Sequence, residues 1–179
     1  PSPRLEGAVA RAVARGVNVR ILTNSIRSNN HLAAHSSYRN HINEMLGDGA
    51  QLHEVRIDAR DRYVHMFPPV EGKSIALHAK AIVFDRNKVF IGSANLDPRS
   101  LRINTEMGFL IESEPLNAEV RKAVTPDFSQ TNSWQLQFDE DGEVVWVSHD
   151  VTLTEQPAAS MLQRIEDWFF SHLPIEDEL

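Results

Sequence analysis

Two runs with strand composition, residues 75–84 and 88–91, stand only three residues apart, and that spacing demands a hairpin. Its turn is expected at Arg86-Asn87, because asparagine tolerates left-handed dihedrals. In the first run His78 and Lys80 are two apart, so the pleat puts both side chains on one face, roughly 6–7 Å apart along it. Asp85 has the opposite parity, at the strand's end, where it caps the hairpin or orients its neighbours. The second run delivers Gly92, Ser93 and Asn95 beside the first. An imidazole, an ammonium, a hydroxyl and a carboxamide then converge next to a small-residue turn that a ligand can approach. Such a set fits an anionic phosphate group. A lone strand histidine is more often packed or solvated, and a lone lysine more often an edge charge. It is the joint spacing that favours chemistry.

The run His78-x-Lys80-x4-Asp85-x6-Gly92-Ser93-x-Asn95 resembles, at all six positions over 18 residues, the HKD signature of the phospholipase D superfamily. The continuation Asn95-Leu96-Asp97-Pro98-Arg99-Ser100, then Asn104-Thr105-Glu106, is similar to the bacterial cardiolipin synthase branch. Arg20-Ile21-Leu22-Thr23-Asn24-Ser25 and His35-x-x-Tyr38 are similar to it as well.

Composition sets the remaining bounds. At 179 residues the chain is within the size of one domain and long enough for a substantial core. Apolar residues make up 41%, without a run near the roughly 20 needed to span a bilayer. There is no cysteine, hence no disulfide and no thiolate chemistry. With 18 Lys plus Arg against 25 Asp plus Glu the net charge is −7, which argues against general binding to a nucleic-acid backbone.

Along the chain, Leu5, Ala8, Val9, Ala12 and Val13 form the apolar stripe of an opening helix, which Gly16 stops. Residues 17–22 follow as a strand ending at Thr23-Asn24-Ser25; Asn24 and Ser25 suit a turn or helix cap as well as a substrate contact. A helix is expected over residues 30–46, ended by Gly47 and Gly49. His31, His35 and His41 in it have no Cys or carboxylate set around them that specifies metal. His35 and Tyr38 share a face, either lining a substrate pocket or forming a packed aromatic with a solvated imidazole. A strand at residues 51–57 leads into a charged, proline-containing loop at 58–74, where Arg60, Arg62 and Tyr63 are either head-group contacts at the rim of the site or solvated surface. Residues 105–111 read as a buried strand with Glu106 at its start. Residues 115–124 read as a helix, and 133–138 and 144–147 as strands flanking an Asp-Gly hairpin turn, with Trp134 and Trp146 in packing roles. The tail from Pro157 is a helix with Met161, Leu162, Ile165, Trp168 and Phe169 on one stripe, ending before Pro174. Residues 154–179 hold six acids and one base, Arg164, so packing of the stripe on the chain's own sheet is expected in preference to an anionic membrane surface.

The resemblance implies one domain over residues 1–179, an α/β/α sandwich around a mixed, mostly parallel sheet. Most of that superfamily uses two HKD motifs, and this chain has one, since none of the other histidines is followed two residues on by Lys. It therefore implies the C-terminal half of a longer enzyme, or a homodimer. The implied reaction is phosphatidyl transfer through a covalent phosphohistidine, without metal or cofactor. In it His78 serves as general acid/base, Lys80, Ser93 and Asn95 hold the phosphate oxygens, Asp85 supports the motif, and Glu106 fixes the tautomer of His78. The implied setting is a phospholipid substrate and peripheral contact with the cytoplasmic face of a bacterial inner membrane. Hydrolysis by the same intermediate, a nuclease, and a non-catalytic pairing half are the alternatives.

Overall fold

The fold, taken from a computed structural model, is described for residues 3–28, 35 and 38–172. Helix α1 (Pro3–Ala14) carries the expected stripe. It ends in a Schellman arrangement: Gly16 takes φ +81°, its N–H donates to the Val13 carbonyl at 2.8 Å, and Val17 N–H donates to Ala12 at 3.0 Å. Strand β1 (Arg20–Asn24) then runs through helix α2 (Ile42–Gly47) into β2 (Gln51–Val55), which pairs with β1 in parallel from Arg20↔Gln51 to Asn24↔Val55. Part of the helix expected at 30–46, including His31, lies outside the described residues; His35, Tyr38 and Arg39 are helical ahead of α2.

The chain next builds β3 (Ala81–Phe84), β4 (Lys88–Gly92), helix α3 (Pro98–Arg102), β5 (Gly108–Glu112) and helix α4 (Glu114–Val124). It then returns to the first sheet with β6 (Ser133–Phe138), β7 (Val144–Val147) and β8 (Thr152–Leu153), and finishes in helix α5 (Met161–Ser171). Two sheets result, β1-β2-β6-β7-β8 and β3-β4-β5. The expectation of a mostly parallel sheet is corrected: among the described residues β1·β2 is the one parallel pair and every other pair is antiparallel. The β3·β4 and β6·β7 pairs are joined by short turns, which make antiparallel neighbours, whereas the long segment around α2 lets β2 return parallel to β1.

The core lies between α1, α2 and the five-stranded sheet, and centres on Val9, Met45, Leu52, Trp134, Leu136 and Trp146. At its floor Glu54 is fully buried, accepting from Trp146 Nε1 at 3.0 Å. Burial lifts its carboxyl to about 7, against the opposing pull of His35 and the Trp146 and Tyr38 hydrogen bonds. The same burial, with the Glu54 charge beside it, raises the Tyr38 hydroxyl. Arg56 is buried beside Trp134, 4.6 Å above its ring, with both ends taken by Asp58 and Asp150.

Helix α5 reverses its expected orientation. Its polar side faces inward: Asp167 is fully buried and accepts from His35 Nδ1 at 2.8 Å and Arg39 Nη1 at 3.2 Å, while Gln163 donates to the Ile26 carbonyl. A buried carboxylate with two cationic or donor partners fixes the helix, so the stripe from Met161 (75% exposed) to Phe169 (55%) faces out instead of packing on the sheet. No described helix is long and apolar enough to cross a membrane.

Candidate active site

Residues 75–80 were expected to be strand, but the ladder starts only at Ala81. The segment before it is held by a side chain. Asn24, at the end of β1, accepts from Leu77 N–H through Oδ1 at 2.7 Å and donates to the Leu77 carbonyl through Nδ2 at 2.8 Å. A carboxamide thus takes the place of a neighbouring strand one residue before His78. Asn24 is therefore a clamp on the motif, with both polar atoms engaged. His35 and Tyr38 are 1% and 8% exposed and belong to the Glu54–Asp167 interior.

The β3–β4 hairpin turns through residues 85–87, and the left-handed residue is Asp85 (φ +43°) and not Asn87. Asp85 accepts at its backbone carbonyl from Arg121 of α4. Asn117 of α4, fully buried, donates to the carbonyls of Phe84 at 3.0 Å and Lys88 at 2.8 Å, locking the two sides of the turn. This clamp was not foreseen, because nothing local marks an asparagine in mid-helix as a hairpin ligand.

The opposite end of the hairpin carries the polar residues of the motif. Gly92 N–H donates to the Lys80 carbonyl at 3.0 Å, which sets Ser93 beside the start of β3. Only glycine fits at 92, because a Cβ there would lie 2.8 Å from the Met107 carbonyl oxygen. That closeness lets Ser93 N–H donate to Met107 O at 2.9 Å, Ser93 Oγ accept from Met107 N at 3.0 Å, and the hydroxyl donate to Glu106 Oε2 at 2.5 Å. Asn104 Nδ2 completes the ring on Glu106 Oε1 at 3.2 Å. The hydrogen bonds from Ser93 and Asn104, with the Lys80 charge adding, hold the exposed Glu106 carboxyl below its ordinary range.

Lys80, Ser93 and Glu106 are thus brought together, with His78 exposed two residues from Lys80, whose ammonium donates to the His78 carbonyl at 2.9 Å. Asn95 is exposed on the same turn. Asp85 sits at the far end of the hairpin, about 13–16 Å along the strands at ~3.3 Å per residue. Among the described residues no hydrogen bond joins Glu106 to His78; the carboxylate is spent on Ser93 and Asn104. A hollow of about 200 Å³ opens beside His78, floored by Leu22, Val55 and Leu77 and edged by His65 and Asp127, whose side chains meet at 3.2 Å. These two, 62 residues apart, carried no local signal in the sequence. A hollow of about 300 Å³ surrounds Arg56, but there the guanidinium is already paired with Asp58 and Asp150.

Histidine and carboxylate donors also meet at Glu6, His41 and Glu44, within 4.8 Å of one another, where Glu6 and His41 form an ion pair between α1 and the start of α2.

Residues 1–127 match the family described as cardiolipin synthase, phospholipase D-like domain. The chain belongs to that family. It is 37% identical over 174 residues to cardiolipin synthase C of Escherichia coli, an alignment covering 93% of this chain and 36% of that protein. Against cardiolipin synthase A of Pseudomonas syringae it is 31% identical over 139 residues, covering 76% of this chain and 25% of the relative. Against the minor cardiolipin synthase ClsB of Bacillus subtilis it is 28% identical over 131 residues, covering 73% and 28%. The chain therefore spans about a third of the length of these relatives. No solved structure matches it. In this phospholipase D-like domain His78 and Lys80 fall on the hairpin end that Gly92 and Asn24 together define, and Asp85 on the other.

Proposed function

We propose that this chain is one HKD half of a phosphatidyltransferase that forms cardiolipin, working in a two-motif assembly with a missing half or a second copy. Support for the reading comes from Lys80, Ser93 and Glu106 lying together at one open end of a hairpin, with the exposed His78 two residues from Lys80, on a domain of the cardiolipin synthase family. In the reaction one imidazole attacks phosphorus and displaces the alkoxide of the donor lipid, which takes a proton from the second imidazole. That second group then removes the proton from the acceptor hydroxyl, whose oxygen replaces the first imidazole on phosphorus. His78 is the proton-transfer member. Lys80 and Asn95 balance the non-bridging oxygens as charge builds. Glu106 acts through its neighbours: it accepts the hydrogen bond of the Ser93 hydroxyl and so keeps the turn rigid, and it counters the Lys80 charge when no phosphate is bound.

One exposed imidazole cannot be nucleophile and leaving-group acid in the same step, so a second must come from outside this motif. The exposed apolar side chains of the site-bearing sheet, Ile91 (41%), Phe109 (60%) and Leu110 (64%), suit cover by another half. This reading puts the working enzyme at the cytoplasmic face of a bacterial inner membrane, where its lipids are. The test is to supply phosphatidylglycerol to the complete assembly and resolve the lipids. Cardiolipin plus glycerol is expected; phosphatidic acid alone would replace transfer by hydrolysis. Full activity from a proven monomer of this chain would remove the need for a second half.

A further inference from the structure

The rim of the His78 hollow is built in an unusual way. Residues 58–74 read as a featureless loop, yet they are stapled. Arg62 donates through Nη1 to the Ile57 carbonyl at 3.1 Å and through Nη2 to the carbonyls of Glu71 at 3.0 Å and Lys73 at 2.5 Å, closing the loop at its base. A 3-10 turn at Arg62–Val64 and further backbone bonds, Met66 N–H to Arg62 and Val70 N–H to Phe67, order the span between. His65 ties its middle to Asp127, and Asn132 holds Asp61 through both the backbone and the carboxylate. This polar framework presents apolar side chains to solvent: Tyr63 is 69% exposed, Val64 59%, Phe67 65% and Val70 41%. A loop that is ordered around exposed aromatic and aliphatic groups marks a contact surface better than a failed core does.

Its charge indicates the partner. Residues 60–73 carry Arg60, Arg62 and Lys73 against Asp61 and Glu71, a local excess of positive charge in a chain of net charge −7. Another exposed apolar surface, the α5 stripe, has the opposite balance, with exposed Glu155 and Glu166 against Arg164. An anionic surface therefore favours the loop over the helix.

We propose that the stapled loop is a bilayer-docking element: Tyr63, Val64 and Phe67 enter the headgroup region of an anionic phospholipid membrane, with Arg60 and Lys73 against its phosphates. Since Arg62 and His65 also edge the hollow beside His78, docking there sets the site's mouth at the lipid surface. The proposal rests on the phospholipid substrate of the preceding section.

Sedimentation of the chain with phosphatidylglycerol vesicles and with phosphatidylcholine vesicles tests it. Wild type is expected to bind the anionic vesicles more strongly, and Y63S/F67S to lose at least about 10-fold of that partition with its thermal unfolding unchanged. Arg60→Gln with Lys73→Gln is expected to lower binding to phosphatidylglycerol several-fold and flatten its salt dependence, and W168S/F169S to bind as wild type does. Wild-type partition retained by Y63S/F67S, no vesicle binding by wild type, or loss confined to W168S/F169S would overturn the proposal. The two readings fail separately. Loop-dependent vesicle binding in a protein whose complete assembly never forms cardiolipin sinks the function and keeps the docking surface. Cardiolipin formation with unchanged vesicle binding in Y63S/F67S does the reverse.

Discussion

The five-stranded and three-stranded sheets are built to different standards of burial. In the first, β2 is buried from Leu52 to Val55, and Trp134, Leu136, Val145 and Trp146 close around it. In the second, β5 has one half-buried residue in five and β4 buries Val89 alone. The first sheet holds itself up by apolar contact with α1 and α2. The second is held by polar clamps, with Asn24 on Leu77, Asn117 across the β3–β4 turn, and Ser93 and Glu106 across to Met107. The difference teaches that the packed core and the polar residues of the motif lie in separate sheets, the second of which is left largely uncovered.

Mutations can break that division. The largest effect belongs to chemistry without stability: in a competent assembly His78→Asn should lose about 10²–10⁴-fold in turnover, with an unfolding midpoint equal to wild type. A matching fall in stability would mean that His78 supports the fold. Stability without chemistry comes next. Leu52→Ala empties the centre of the buried sheet and should cost about 2–5 kcal/mol in urea unfolding, whereas Leu110→Ala on the exposed sheet should stay within about 0.5 kcal/mol. Equal costs would show the two sheets to be equally packed.

Glu54 sharpens the same contrast through pH. Its folded-state value is raised from 4.5 to about 7, so between those values the folded chain holds a proton that the unfolded chain releases. Its contribution is fully present below pH 4.5 and is lost as pH rises through 7, by at most about 3 kcal/mol. Glu54→Gln keeps an acceptor for Trp146 and should remove that part of the slope, as read by urea unfolding at pH 5 and pH 8. An identical slope in the variant would assign it to other groups. Asn117→Ala is expected to cost about 1–3 kcal/mol as two buried carbonyls lose their donor, with hydrogen exchange rising first at the β3–β4 turn.

The sequence carried these regions unequally. The α1 stripe, the Gly16 stop, the Asp-Gly turn between β6 and β7 and the packing of Trp134 and Trp146 follow from periodicity and turn chemistry, which act over a few residues. The polar clamps do not, because Asn24 and Leu77 are 53 residues apart and an asparagine looks the same whether it caps, clamps or faces water. Six spaced residues announced the motif, yet strand parity put His78 in a strand that begins three residues later. The mostly parallel sheet was borrowed from the resemblance, and short turns decided otherwise. For α5 the stripe was legible, but its direction was set by Asp167 finding His35 and Arg39, a pairing over more than 120 positions.

The Arg62 staple has a consequence for how such a rim can change. Because the loop is closed at its base by one guanidinium on three backbone carbonyls and tied in its middle by His65 to Asp127, its geometry does not depend on the exposed apolar side chains Tyr63, Val64, Phe67 and Val70. These four positions then form an exchangeable cassette. Other side chains can be placed on them while the Asn24 clamp and the β3–β4 hairpin keep their places. Preference for one lipid surface over another can thus diverge, by selection or by engineering, without retuning the residues that handle phosphorus.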